Sequence, residues 1–194
     1  VSVDKVSSSE MSTEQLTIST IRKIPALLGE VDVIKGLQLL PGVSTVGEGS
    51  AGFNVRGGSV GQNLVLLDES PVYNSSHLFG FFSVFNPDAV KDVKLIKGAM
   101  PAQYGGRISS ILDVRMKEGN SKRLEVSGGI CLPIFSRLAL QGPLIKDKAS
   151  FIVAGRRSYV DLFARPFTDG ATLYFYDLTT KVNYNIDPRN RIFL

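Results

Sequence analysis

The stretch YDLTTKVNYNI, residues 176–186, alternates strictly between two kinds of side chain. One set is apolar or weakly polar, and it consists of Tyr176, Leu178, Thr180, Val182, Tyr184 and Ile186. The set between them is wholly polar, and it consists of Asp177, Thr179, Lys181, Asn183 and Asn185. Because successive side chains of a β-strand point to opposite faces, this stretch predicts a strand with one apolar and one polar face.

A strand of this kind is typical of a transmembrane β-barrel wall, with its apolar face toward lipid and its polar face toward a wet lumen. The core of a water-soluble sandwich would not tolerate the polar face. A length of about 11 residues suits a tilted crossing of the bilayer. Tyrosines near both ends suit the two aromatic belts. A weaker alternation of the same kind involves Leu138 and Leu140, and then Phe151 and Val153.

Residues 120–194 are long enough for about five such strands, with short connections at 143–149 and 187–190 and a longer one at 159–173. Bacterial barrels have short periplasmic turns and longer external loops, so these lengths assign the two sides. Such barrels have at least about 8 strands, and an open edge in lipid leaves backbone groups unpaired. We therefore expect an incomplete barrel, most of whose wall lies beyond Leu194.

The preceding part of the chain has a different character. Four short β-type runs, each closed by glycine or a turn residue, are predicted at 53–57, 64–67, 90–96 and 108–116. A short amphipathic helix is predicted over 30–40, and Asn86-Pro87 resembles a helix entry. These elements predict an α+β domain with a small mixed β-sheet. The expected division is a linker or edge strand at 1–20 after a missing N-terminal region, the α+β domain at 21–119, and barrel strands at 120–194.

Composition excludes several classes of protein. The 194 residues carry 22 basic and 18 acidic side chains, spread without the basic stripe that nucleic-acid binding requires. The lone Cys131 excludes an internal disulfide and a thiolate metal site. No apolar run reaches the roughly 18 residues of a transmembrane helix, and residues 1–14 lack a signal-peptide core. The chain does not begin with Met, so we treat it as a piece of a longer precursor, and no cofactor is predicted.

Eight sequence pieces, in order, carry a family resemblance: 25–35, 39–43, 53–58, 62–68, 71–74, 77–88, 93–98 and 103–114. Together they resemble the plug domain of TonB-dependent outer-membrane receptors, in particular the Bacteroidota-type group outside the SusC-like glycan importers. The resemblance continues through SRLALQGPLIKDKASFIVAGRRSY, residues 136–159, which is similar to the first wall strands of the same receptors. It covers roughly residues 20–194.

The resemblance implies a gated receptor in the bacterial outer membrane, with the plug inside the lumen of a barrel of roughly 22 strands. An extracellular ligand, which could be a ferric chelate, cobalamin, an oligosaccharide or a peptide, would bind where plug and external loops meet. The TonB–ExbB–ExbD complex would then pull a segment N-terminal to the plug, the TonB box, although no TonB box is recognisable here. Outer-membrane lipid and a surface lipoprotein are further implied partners.

Three groups of residues are candidates for the work of such a receptor. The ligand-binding candidates lie in one loop of amphipathic side chains and are Tyr73, Asn74, His77 and Phe79. The plug–barrel locking candidates are Arg56, Lys97 and Arg107, where Lys97 stands in place of the usual family arginine and so loses its bidentate fork. The glycines expected at tight turns with positive φ are Gly57, Gly58, Gly105 and Gly106.

Two alternatives belong to other functional classes. The chain could be a secreted β-rich module for ligand binding or adhesion, with the alternation belonging to a soluble barrel. It could also be an enzyme, but no converging catalytic set is recognisable, and Ser75 or Ser76 beside His77 lacks a triad motif. Because His77 is the only histidine, the chain cannot hold a multi-histidine metal site. Structural interpretations without a function also exist for these candidates. The loop that contains the ligand-binding candidates could simply pack against the barrel wall. Arg56 could be an exposed side chain after the end of a strand.

Overall fold

Two five-stranded sheets dominate the computed structural model, which describes residues 13–24, 31–47, 50–77, 80–98, 100–131, 135–164, 174–187 and 189–194. The first sheet forms the N-terminal domain (13–119), and the second, the C-terminal sheet, spans 125–193. No helix within the described ranges is both long and apolar enough to cross a membrane.

The N-terminal domain contains many short elements. They are β1 (Thr13–Thr17), α1 (Ile18–Ile21), α2 (Val33–Leu37), β2 (Val43–Thr45), β3 (Phe53–Val55), a 3₁₀ turn (Val60–Gln62), β4 (Asn63–Leu67), β5 (Ser70–Pro71), β6 (Ser76–His77), β7 (Phe82–Ser83), β8 (Val90–Lys97) and β9 (Ser110–Met116). The main sheet has the order β1-β8-β9-β4-β5. Only its β4–β9 pair is parallel, so the sheet is mixed, as predicted.

Apolar runs place the central strands in the core of this domain. Val93 and Leu95 of β8 and Leu112 and Val114 of β9 share one face of the sheet and are fully buried, and Ile96 and Ile111 are buried on the other face, so both faces of these strands are covered. Helix α2 packs on the same core. It begins at Asp32, whose carboxylate accepts hydrogen bonds from the backbone N–H groups of Ile34 (2.8 Å) and Lys35 (3.2 Å).

The four predicted strands are confirmed as β3, β4, β8 and β9, and the predicted helix is confirmed as α2. The helix predicted after Asn86-Pro87 is wrong. Asn86 Oδ1 accepts from the Asp88 N–H at 2.9 Å, and the Val90 N–H returns to the Asn86 carbonyl at 3.1 Å. The chain therefore makes one turn and enters β8 at once. Residues 13–17 form an edge strand on β8, so the sheet begins before residue 21.

The C-terminal sheet is an antiparallel meander. Its elements are β10 (Glu125–Cys131), β11 (Phe135–Ile145), β12 (Ala149–Ser158), α3 (Val160–Ala164), β13 (Tyr176–Asn185) and β14 (Arg191–Phe193). The five predicted strands are thus present. Strand β11 continues through Pro143, with a register shift before Ile145, so the first short connection is narrower than the predicted 143–149. We call the end with the connections 146–148 and 186–190 the short-turn end, and the opposite end the long-loop end.

The two faces of the C-terminal sheet meet different surroundings. Tyr176 and Leu178 are 72% and 73% exposed, whereas Lys181 and Asn183 are only 6% and 3% exposed. Lys181 and Asn183 of the polar row are buried because they pack against the N-terminal domain, whereas Asn185 at the end of the row is exposed. Small or apolar side chains of β11 and β12 face the same way, and they are Ala139, Ile152 and Ala154. The predicted alternation is confirmed, with its polar face turned inward.

Candidate functional site

The surface where the N-terminal domain meets the C-terminal sheet is the candidate functional site. An apolar seam runs through its middle, formed by Ala89 and Met116 of the domain with Ala139, Ile152 and Ala154 of the sheet. Three of these five residues are alanines, so the seam buries little apolar surface. The seam is small, and charged and polar side chains surround it toward both ends of the sheet.

Toward the long-loop end, the main polar contacts between domain and sheet are made by Arg156 of β12. Its buried guanidinium donates from Nη2 to the Ser83 carbonyl at 2.6 Å and from Nε to Asp177 Oδ2 at 3.0 Å. The other Asp177 oxygen is hydrogen-bonded to Nε2 of His77. A buried arginine is stable only when it is paired and hydrogen-bonded, and here the N-terminal domain and the C-terminal sheet each supply a partner.

Aromatic rings close this cluster. The His77 ring stacks on Phe175 with centroids 4.7 Å apart, and the Arg156 guanidinium lies 5.1 Å from the Phe175 centroid. Phe82 meets Phe135 edge-to-face at 4.8 Å. These rings exclude water from the Arg156–Asp177 pair, which strengthens its electrostatic attraction.

Hydrogen bonds also connect this cluster with helix α2 of the N-terminal domain. The Ser83 N–H donates to Asp32 Oδ2 at 2.6 Å, while the Ser83 carbonyl accepts from Arg156. Asp32 is the residue whose other oxygen caps α2. The start of α2 is therefore hydrogen-bonded, through one residue of β7, to a guanidinium of the C-terminal sheet.

Asp88 is a buried anion of the site. Its Oδ1 lies 2.6 Å from Nη2 of Arg22, and its Oδ2 lies 3.0 Å from Nε of Arg137 on β11. The Asp88 carbonyl accepts from Nζ of Lys117 at 2.7 Å. Burial, and next the nearby Arg22 charge, lower the pKa of Lys117, while Asp88 and Glu125 oppose that change. One aspartate thus joins the start of the domain, its end and the C-terminal sheet.

The contacts at the short-turn end depend on Asp68 and Glu118. Asp68 Oδ2 lies 2.8 Å from Nζ of Lys181, and Asp68 Oδ1 accepts from the Met116 N–H at 3.1 Å. The Glu118 carbonyl accepts from Ser150 Oγ and from Asn183 Nδ2, each at 2.6 Å. The connection between domain and sheet is thereby fastened to β12 and β13.

Gly119 follows in the same connection and has no room for a side chain. Its φ is +80°, and a Cβ atom would overlap the backbone of Phe151, lying 2.8 Å from the carbonyl carbon. Only glycine permits this approach. The chain therefore leaves the domain pressed against β12.

The predicted ligand-binding residues fall into two groups. Tyr73 is 89% exposed, and Asn74 is also exposed, with its Oδ1 accepting from the Ser76 N–H at 3.3 Å. His77 instead lies between Asp177 and Phe175, and none of its contacts within the described ranges involves a serine hydroxyl. Phe79 lies outside the described residues. Ligand binding by these four residues stays a prediction.

The predicted locking residues make contacts inside the N-terminal domain. Lys97 is buried, donates from Nζ to the Pro41 carbonyl at 2.9 Å and lies 4.0 Å from Glu14. The Arg56 guanidinium lies beside Gly98, close to Lys97. Arg107 is exposed and donates to the Gly106 carbonyl at 3.5 Å.

The four predicted turn glycines differ in conformation. Gly57 and Gly106 have φ values of +80° and +81°, as expected. Gly58 and Gly105 do not have positive φ. At Gly58 the requirement is space instead, because a Cβ atom would overlap the Ser109 side chain.

The charged residues that join domain and sheet were missed by the sequence analysis. They are Asp68, Asp88, Arg137, Arg156, Asp177 and Lys181. A signal existed, because four of them lie on the polar rows of predicted wall strands. Asp68 also begins the turn between β4 and β5, where its φ is 46°. No cluster of three metal-ligating side chains occurs in the described part of the chain.

The sequence profile of the TonB-dependent receptor plug domain matches residues 5–110, which is more than half of the chain. The chain belongs to this family. The N-terminal domain is therefore the plug, and the C-terminal sheet resembles the start of the barrel of such a receptor. No curated protein matches the chain.

Solved receptors share this fold. PirA, a siderophore receptor from Pseudomonas aeruginosa, is 19% identical with a TM-score of 0.65, and the match covers 92% of this chain and 33% of PirA. FyuA, the ferric yersiniabactin uptake receptor of Yersinia pestis, is 17% identical (TM-score 0.63, 93% and 30% covered). The copper transporter OprC is 14% identical (0.62, 94% and 29%). The chain spans about a third of the length of these proteins.

Proposed function

We propose that this chain belongs to a gated receptor of the bacterial outer membrane, which binds an extracellular ligand and imports it with energy from TonB–ExbB–ExbD. The proposal rests on the two faces of β13. Its polar residues Lys181 and Asn183 are buried against the plug, whereas its apolar residue Leu178 is exposed. A water-soluble module would bury Leu178 and expose Lys181. A strand with its apolar face exposed and its polar face buried suits a barrel wall that meets hydrocarbon on the outside and a plug on the inside.

The chemistry of the plug–sheet contact suits a plug that must move. Its apolar seam is small, and most of its fixed contacts are ion pairs and hydrogen bonds, such as Asp68–Lys181 and Asp88–Arg137. Polar groups freed by movement can be hydrated in a wet lumen, whereas a large apolar contact would resist separation. We infer that these ion pairs hold the closed state and break during import.

The long-loop end is proposed as the extracellular side, because bacterial barrels carry their longer connections there. Tyr73 and Asn74 are proposed to contact the ligand on that side, together with Phe79. His77 would couple their loop to the sheet through Asp177. The ligand class stays open among ferric chelates, cobalamin, oligosaccharides and peptides, and a surface lipoprotein could take part.

Arg56, Lys97 and Arg107 keep their proposed locking role toward parts of the wall beyond these five strands. Arg56 and Arg107 are exposed, so they can reach further strands. Lys97 already has partners within the plug, so its share in locking would be smaller.

The decisive experiment deletes the full-length gene and measures growth and uptake with each of the four ligand classes. We expect loss of uptake for one class, recovery with the intact gene, and loss again when the proton gradient is dissipated. The protein should fractionate with the outer membrane. Recovery of the full-length protein as a soluble, secreted species would support the adhesion-module alternative instead.

A further inference from the structure

The exposed face of the C-terminal sheet carries a hollow of about 990 Å³. Four residues in cross-strand register form its middle row, and they are Gly128, Leu138, Gly155 and Leu178. The next row toward the long-loop end consists of Ile130, Ser136, Arg157 and Tyr176. All four strands that line the hollow belong to this chain.

The absence of a side chain at Gly155 makes this hollow deeper. Neither the backbone conformation nor the surrounding atoms require glycine at this position. Its φ is not positive, and a Cβ atom would make ordinary contacts, at 3.7 Å from the Asp177 carbonyl oxygen and 3.9 Å from Leu178. Gly128 differs, because its Cβ would lie 2.6 Å from the Arg137 carbonyl oxygen. The missing side chain at Gly155 leaves an apolar space between Leu138 and Leu178.

An arginine stands at one end of this space and is held in place. The Arg157 guanidinium lies 5.2 Å from the centroid of the Tyr159 ring. The Tyr159 hydroxyl is itself hydrogen-bonded to Ser136 Oγ, at 2.9 Å. Arg157 is exposed on the face that the proposed function turns toward lipid, where a cation is costly unless it lies at the interface or meets an anion.

We propose that this hollow binds one acyl chain of an anionic lipid, and that Arg157 binds the lipid's phosphate. The inference rests on the proposed function, because it needs this face in a membrane with the long-loop end at the headgroups. A guanidinium binds phosphate oxygens bidentately, and the apolar row beside it suits a hydrocarbon chain. The charge of Arg157 selects an anionic headgroup over a zwitterionic one.

The test uses the full-length receptor, purified in mild detergent, and native mass spectrometry. The probes are dimyristoyl phosphatidic acid and dimyristoyl phosphatidylcholine, which differ only in the headgroup. We expect the wild type to prefer phosphatidic acid. Arg157→Gln should weaken phosphatidic acid binding about tenfold, the usual value of one charge-assisted contact. It should weaken phosphatidylcholine binding less, because the choline cation offsets the single charge of that phosphate, so the preference between the two lipids should shrink. Arg157→Lys should retain part of the preference.

Gly155→Leu tests the hollow separately, because it fills the space and should weaken both lipids. The matched control is Lys146→Gln, which removes an exposed cation from the short-turn end and should change neither lipid. Wild-type binding by both Arg157→Gln and Gly155→Leu would overturn the inference. Failure of the proposed function is a separate result, since it would appear as absence of the protein from the outer membrane or as absence of ligand uptake.

Discussion

Individual charged residues hold the plug against the sheet, and Asp88 contacts two arginines at once. Its two carboxylate oxygens serve arginines from different parts of the chain, Arg22 near the start of the plug and Arg137 on β11. Removing the buried charge of Asp88 would leave both arginines without a counter-charge. The resulting loss of folding free energy is larger than the net stabilisation that the intact ion pair provides.

Asp88→Asn should therefore weaken the attachment of the plug to the C-terminal sheet and destabilise the plug. We expect a loss of about 3 kcal/mol, at the low end for buried pairs because Arg22 is partly exposed. The measurement is the urea midpoint for plug unfolding in the full-length receptor, followed by pulse proteolysis. Glu69→Gln, which neutralises an exposed carboxylate, is the control and should leave the midpoint unchanged. Equal midpoints for both variants would contradict a holding role for Asp88.

Gly119 allows a prediction with a control from the same chain. Gly57 shares its φ of +80° but has open space around it, whereas a Cβ on Gly119 would overlap Phe151. Gly57→Ala should cost about 1 kcal/mol, the strain of a left-handed alanine. Gly119→Ala should cost about 1–3 kcal/mol more, because the connection must move off β12. Urea midpoints of the two variants measure the difference, and equal values would show that the contact with Phe151 gives way easily.

At the scale of elements, β13 has one face for each of two environments. Leu178 belongs to the exposed apolar row, and Lys181 belongs to the buried polar row. A one-residue slip of this strand would exchange the rows, so its register is strongly determined.

Leu178→Lys should impair assembly of the full-length receptor in the membrane. A lysine on the lipid face costs about 2–4 kcal/mol at the midplane of the bilayer and about 0–1 kcal/mol near the interfaces. Leu178 lies one row from Tyr176 and Arg157, so we expect an intermediate cost of about 1–2 kcal/mol. Asn185→Lys adds the same charge at the exposed end of the polar row and should be tolerated. The readout is heat-modifiable electrophoretic mobility of the membrane fraction. Normal assembly of Leu178→Lys would indicate that this face meets water.

At the scale of the whole molecule, plug and sheet differ in how they satisfy their apolar surfaces. The plug has its own core around α2, β8 and β9. The C-terminal sheet has no comparable core of its own among the described residues, since its buried apolar side chains pack on the plug.

Separate expression should reveal this difference. We expect residues 1–119 to be soluble and monodisperse, because the plug buries its apolar side chains internally. Residues 120–194 should require detergent, because one face is apolar and the other has lost the plug. Sedimentation with and without detergent measures both fragments. A monodisperse 120–194 fragment in plain buffer would count against a lipid-facing wall.

The sequence by itself determined the longer strands, helix α2 and the two faces of β13. The alternation in 176–186 predicted which side of β13 is polar, and glycine-closed apolar runs predicted the strands of the plug, because local periodicity decides both. It did not determine the short pairs β6 and β7, whose two-residue strands are too brief for a periodic signal.

Only the tertiary structure decided which charges meet. Asp88 and Arg137, or Asp68 and Lys181, lie far apart along the chain, and no spacing within the sequence relates them. Their partnership depends on how the plug sits on the sheet, which long-range packing sets. For the same reason the sequence could not show that the ring of His77 lies against Phe175 and Asp177, and ligand binding by His77 stays a prediction.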